Sequence, residues 1–112
     1  MTKASQSIFT IQAELCRAMG SALSQEIVHS LRDGPMSVND IANVIEAPPP
    51  TISHHLTVLH NAGVVVGQRR GDKVFYRIAN PKIIQVCDLM REVLIEQTRL
   101  QMATLSREKR SF

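Results

Sequence analysis

The sequence predicts a mainly α-helical domain carrying one small β-hairpin, and three features within residues 33–78 predict it. Ser37-Val38-Asn39-Asp40 sets a hydroxyl N-cap three residues before an acid, a capping box in which Asp takes the place of the usual Glu. Residues 51–63, from Thr51 through Ser53-His54-His55-Leu56 to Ala62-Gly63, read as a helix closed by glycine. Val64-Val65-Val66-Gly67-Gln68-Arg69-Arg70 and Lys73-Val74-Phe75-Tyr76-Arg77-Ile78 flank Gly71-Asp72 as two β-rich runs flank a turn. Helix, helix and hairpin in that order are the pattern of a winged helix-turn-helix.

The remaining elements follow from periodicity. Ile8, Ile11, Leu15 and Met19 recur at three- and four-residue steps, an apolar stripe on a first helix. Gly20-Ser21 interrupts it, a second helix runs through Ile27, Val28 and Leu31, and Asp33-Gly34-Pro35 stops that helix. The second helix of the motif is expected at about 50–62 and the wing at about 64–78. After the hairpin, Asn80-Pro81 opens a long helix over about 81–105, with Ile83, Cys87, Met90, Leu94, Gln97 and Gln101 at a/d-like spacing. That stripe is longer than a small helical core needs. It lies either across its own domain or in a two-fold dimer interface formed with the first helix.

Composition agrees with this reading without being able to produce it. A chain of 112 residues is expected to form one domain, and a domain so small gains from extra burial at a subunit interface. Thirteen basic and ten acidic residues leave a formal charge of +3, too modest to argue for nucleic acid by itself. Clustering is the stronger signal, since Arg69, Arg70, Lys73 and Arg77 fall close together and meet only Asp72. The N-terminus lacks the long apolar core of a signal peptide and no apolar run is long enough to span a bilayer, so a soluble cytoplasmic protein with no membrane partner is expected. Residues 1–5 and 106–112 are expected to fray.

On a 3.6-residue wheel the second helix of the motif turns Ile52, Leu56 and Leu59 to one side and Ser53, His54, Thr57 and Asn61 to the other. The outward face is polar and almost uncharged, suited to base edges or phosphates in a major groove. His55, at the flank of the apolar side, is as suited to packing or a phosphate contact as to reading bases, and His60 lies at the far end. The candidate DNA-binding residues are Thr51, Ser53, His54, His55, Thr57, Asn61, Arg69, Arg70 and Lys73. A hairpin with these cations is either merely solvated or set against phosphate or the minor groove. The helix-turn-helix context favours the second, because phosphate neutralisation holds a recognition helix in register.

The recognition-helix run Ser53-His54-His55-Leu56 with Ala62-Gly63, the wing Arg69-Arg70-Gly71-Asp72 and the pair Tyr76-Arg77 resemble the ArsR/SmtB family of dimeric bacterial transcriptional regulators. The likeness covers roughly residues 13–94. It implies a winged helix-turn-helix fold, a double-stranded DNA operator, a homodimer formed by the first and last helices, and no enzymatic activity. Two departures stand out. Pro48-Pro49-Pro50 takes the place of the usual Ser N-cap, which fixes φ but removes amide donors, so no DNA role is assigned there. Ser21-Ala22-Leu23-Ser24 stands where relatives commonly carry an Asp-Pro-Thr-Arg-like sequence, so the contact made by that arginine does not carry over.

The family's metal sites do not carry over either. Residues 38–45 lack the cysteines of the thiol-rich site, and no histidine follows His60 to build the zinc site of the last helix. Asp88, Glu92 and Glu96 line one helix face without a thiolate or imidazole, the usual appearance of a solvated surface. Neither metal nor cofactor is expected. Cys16, beside the cation Arg17, and Cys87 are the only thiols, and both read equally well as small apolar packing residues. Their positions on the first and last helices resemble the reactive-sulfur-sensing branch of the family, in which one thiol from each of two helices forms a disulfide or polysulfide bridge. The resulting expectation is a repressor controlled by thiol chemistry at Cys16 and Cys87, with an oxidant, a persulfide, or trivalent arsenic or antimony as inducer. A regulator or anti-repressor without a sensor of its own, or a soft-metalloid sensor using the same thiols, stays open beside it.

Overall fold

Side-chain hydrogen bonds mark where the first three helices begin. The structure is a computed structural model and describes the backbone of residues 7–111 and the side chains of residues 7–103. The expected fraying of residues 1–5 lies outside the described residues. Helix α1 (Ile8–Ala18) starts at Ser7, whose hydroxyl accepts from the Thr10 amide, and α2 (Ala22–Ser30) starts at Ser21, whose hydroxyl accepts from the Ser24 amide. The Gln25 side-chain amide donates to the Met19 carbonyl at 2.7 Å and so ties the junction between these two helices.

Ser37 does two jobs at once. It caps α3 (Val38–Ile45) through a reciprocal capping box with Asp40, and it belongs to a two-residue strand, β1 (Met36–Ser37). Helix α3 ends at Glu46, which has left-handed φ of 61°, and Ala47 closes the end by donating its amide to the Ala42 carbonyl. Pro48 (φ −60°, ψ 137°) then starts α4 (Pro49–Asn61) without a side-chain cap. Its C-terminus is a Schellman motif: the Val64 amide donates to the Leu59 carbonyl at 2.9 Å and the Gly63 amide to the His60 carbonyl at 3.0 Å, with Gly63 at φ +80°. Leu59 and Val64, the two side chains such a motif brings together, are fully buried.

The hairpin of β2 (Val65–Arg70) and β3 (Lys73–Ile78) closes through two loop residues, with positive φ at Gly71 only, as a type II′ turn requires. Strand β1 pairs antiparallel with β3, giving the order β1-β3-β2. This third strand was not anticipated. Two residues are too few to show any alternation, and pairing alone makes them a strand. Gly67 faces Tyr76 across β2 and β3, and a Cβ there would lie 3.2 Å from the Tyr76 ring, so the ring uses the space that glycine leaves.

Ile27, Val28 and Leu31 of α2, Ile41 and Ala42 of α3, Ile52, Leu56 and Leu59 of α4, and Val64 and Val65 at the start of the hairpin form the core. Three helices and a small sheet thus make the expected winged helix-turn-helix within one compact unit, Met1–Pro81. The second unit, Lys82–Phe112, carries α5 (Lys82–Ser111). This helix continues past the end expected near 105, because residues 106–111 contain neither glycine nor proline to stop it. Within it Cys87 is buried, while Met90, Leu94 and Leu100 stand 46%, 62% and 68% exposed. Among the described residues no helix is long and apolar enough to cross a membrane.

Candidate nucleic-acid interface

Burying Ile52, Leu56 and Leu59 fixes the rotation of α4, and the opposite side is therefore presented outward. Thr51, Ser53, His54, Thr57, His60 and Asn61 are all exposed, and His55 is half-buried at the flank. Two of these side chains are already committed to the helix itself. The Thr57 hydroxyl donates to the Ser53 carbonyl at 3.0 Å, which leaves its oxygen lone pairs and its methyl group to face a partner. His55 Nδ1 lies 3.0 Å from the Thr51 carbonyl; a carbonyl only accepts, so Nδ1 carries the proton. Neutral His55 then offers Nε2 as an acceptor, suited to an amino group on a base edge, and only the imidazolium would donate from Nε2 to a phosphate. The His54 and His55 rings meet edge to face at 5.7 Å between centroids.

The start of α4 is closed to amide-mediated anion binding. Pro49 and Pro50 carry no N–H, and the Thr51 amide donates to the Pro48 carbonyl at 3.0 Å. Specific contact from this helix must come from side chains.

The hairpin register sorts the wing cations. Arg70 pairs with Lys73, Gln68 with Phe75 and Val66 with Arg77, so Gln68, Arg70, Lys73, Phe75 and Arg77 share one face. Arg69 pairs with Val74 and lies on the other face, with Tyr76 and Ile78. A cluster of four in sequence thus becomes three cations together and one apart. Sequence reasoning passed over Gln68 and Phe75, which strand alternation places beside Arg70. Lys73 also helps to hold the Asp40 carboxyl below its ordinary value, behind the larger effects of the backbone and side-chain hydrogen bonds from Ser37.

Cys16 is exposed on α1 and Cys87 is buried on α5, both as free thiols. Burial pushes the Cys87 thiol up, and Asp88 adds to this while Arg91 opposes it. The neutral thiol is therefore favoured at Cys87. Among the described residues no group of three or more His, Cys, Asp or Glu is placed to hold a metal ion.

Residues 25–66, from α2 into β2, match the model of the family described as "Bacterial regulatory protein, arsR family". The chain is 34% identical over 79 residues to the HTH-type transcriptional repressor SmtB of Mycobacterium tuberculosis, covering 70% of this chain and 58% of that protein. It therefore spans little more than half the length of that curated relative. An HTH-type transcriptional regulator of Methanocaldococcus jannaschii is 34% identical over 82 residues, 72% of this chain and 92% of that one. Among solved structures, a homodimeric winged helix-turn-helix DNA-binding domain from Mycobacterium bovis, described as a possible ArsR-family regulator, superposes with a TM-score of 0.74 at 26% identity, covering 85% of this chain and 93% of that chain. On the strength of the matched helix-turn-helix core and of a relative aligned over 92% of its length, the chain belongs to the arsR family of bacterial regulatory proteins, a family of regulators rather than enzymes.

Proposed function

We propose that the chain is a homodimeric, sequence-specific transcriptional repressor acting in the cytoplasm, whose affinity for a double-stranded DNA operator is controlled by thiol chemistry at Cys16 and Cys87. The observation that carries the DNA-binding half is the exposed polar face of α4 in the same compact unit as a hairpin face bearing Arg70, Lys73 and Arg77. Short polar side chains read base edges while the cations neutralise phosphate and hold the helix in register. Homodimerisation is supported by the exposed apolar side chains of α5 and by the homodimeric state given for the Mycobacterium bovis domain. The control half rests on the two thiols being the only ones in the chain and on the exposure of Cys16.

Burial of Cys87 with its raised thiol favours a second reading, a DNA-binding regulator in which this cysteine only packs. One experiment separates the two. DNA fragments bound by the protein are recovered genome-wide with and without oxidant or persulfide, and the enriched site is then titrated with wild type, Cys16→Ser and Cys87→Ser. Thiol control predicts release by the wild type on oxidation, recovery with reductant, and no response from either variant. Release that persists in either serine variant, or equal affinity in reducing and oxidising buffer, leaves the regulator without this switch.

A further inference from the structure

The Arg70 guanidinium carbon lies 5.5 Å from the centroid of the Phe75 ring. Register explains the meeting, since Arg70 pairs with Lys73 and Phe75 with Gln68, which makes Arg70 and Phe75 diagonal neighbours on one face of the hairpin. Phe75 also pairs with Ser37 of β1, so its backbone is held between two strands, and its side chain is half-buried. Arg70 is exposed at the very end of β2, next to the loop residue Gly71. An arginine in such a place would otherwise sample many rotamers, and ordering it on binding would cost entropy. Attraction between the cation and the face of an anchored ring restricts that freedom and leaves the five N–H donors of the guanidinium for phosphate oxygens.

We propose that Phe75 is a positioning residue for DNA binding, holding the Arg70 guanidinium where it receives a backbone phosphate. The proposal rests on the reading of the wing given above. Its action is independent of DNA sequence, so it can be tested without the operator.

Binding of the full chain to a labelled duplex of random sequence, about 30 base pairs long, is measured over a range of KCl concentrations. Arg70→Ala is expected to weaken binding and reduce the slope of log K against log salt by roughly 0.9. Phe75→Leu is expected to weaken binding about two- to five-fold with the slope unchanged, because every charge remains. Phe75→Tyr keeps a ring and should bind like wild type. With alanine at position 70, Phe75→Leu should cost nothing further, whereas a purely structural role would cost the same in both backgrounds. Should Phe75→Leu fail to fold in thermal melts, Arg70→Lys tests the pair from the exposed side, with weaker binding expected at unchanged slope. Wild-type affinity and slope in Arg70→Ala overturn the wing reading and the proposal together. An effect of Arg70→Ala accompanied by no effect of Phe75→Leu, by an effect of equal size with alanine at 70, or by full affinity in Arg70→Lys, overturns the proposal alone.

Discussion

Asp40 has one carboxyl oxygen accepting from the Ser37 amide at 3.2 Å, while its own amide donates to the Ser37 hydroxyl at 3.2 Å. The bond from the Ser37 amide, with a side-chain hydrogen bond from the same residue, favours the ionised carboxylate and holds its pKa below the ordinary value of 3.8. A group lowered on folding contributes stability that is fully present above its unfolded value and is lost as pH falls through the folded one. Asp40→Asn keeps an acceptor but removes the charge. Urea midpoints of the variant and the wild type should therefore differ at neutral pH and converge on acidification below about 4. A gap that persists unchanged into acid would show that the charge contributes nothing. Ser37 matters beyond this pair, because the same residue caps α3 and pairs with Phe75 in the sheet, linking the helix-turn-helix to the wing.

Helix α4 is defined by its two ends as much as by its buried face. Three prolines set its beginning without donating a hydrogen bond, and Gly63 lets the chain turn back into the hairpin with Leu59 and Val64 buried. A Cβ on Gly63 would meet no atom within 4 Å, so Gly63→Ala tests conformation alone. With φ at +80°, the substitution should destabilise the fold by about 1–2 kcal/mol, read as a lower midpoint in chemical denaturation. An unchanged midpoint would mean that the left-handed turn is not a constraint. The expected consequence for DNA binding is small where the fold persists, since the exposed side chains of α4 remain in place.

For the whole molecule, the exposed apolar residues of α5 require a cover. Val86, Met90, Val93, Leu94 and Leu100 stand between 46% and 68% exposed, a row that a lone helix in water would not sustain without cost. In the proposed homodimer Leu94→Asp would set an unpaired carboxylate into the interface and should yield monomers with much weaker DNA binding. Sedimentation at micromolar concentration checks this, and a wild type that sediments as a monomer would remove the basis for the dimer.

What the sequence determined by itself is local. A capping box spans three residues, a glycine stop spans one turn, and the 3.6-residue alternation of Ile52, Leu56 and Leu59 against Ser53, His54, Thr57 and Asn61 needs only the helix that carries it. Such features are encoded by neighbours in the chain, so the helices, the hairpin and the outward face of α4 were legible. Tertiary structure decided what depends on pairing across distance. Strand β1 exists because Met36 and Ser37 find β3, and the separation of Arg69 from Arg70, Lys73 and Arg77 comes from hairpin register rather than from proximity in sequence. The meeting of Arg70 with Phe75, the burial of Cys87 and the exposure of Cys16 belong to the same class, whereas the bonds of the Thr57 hydroxyl and His55 Nδ1 to carbonyls four residues back are local to α4. The physical reason is that composition states which groups are available, whereas packing sets which of them reach solvent with a donor, an acceptor or a charge still unspent.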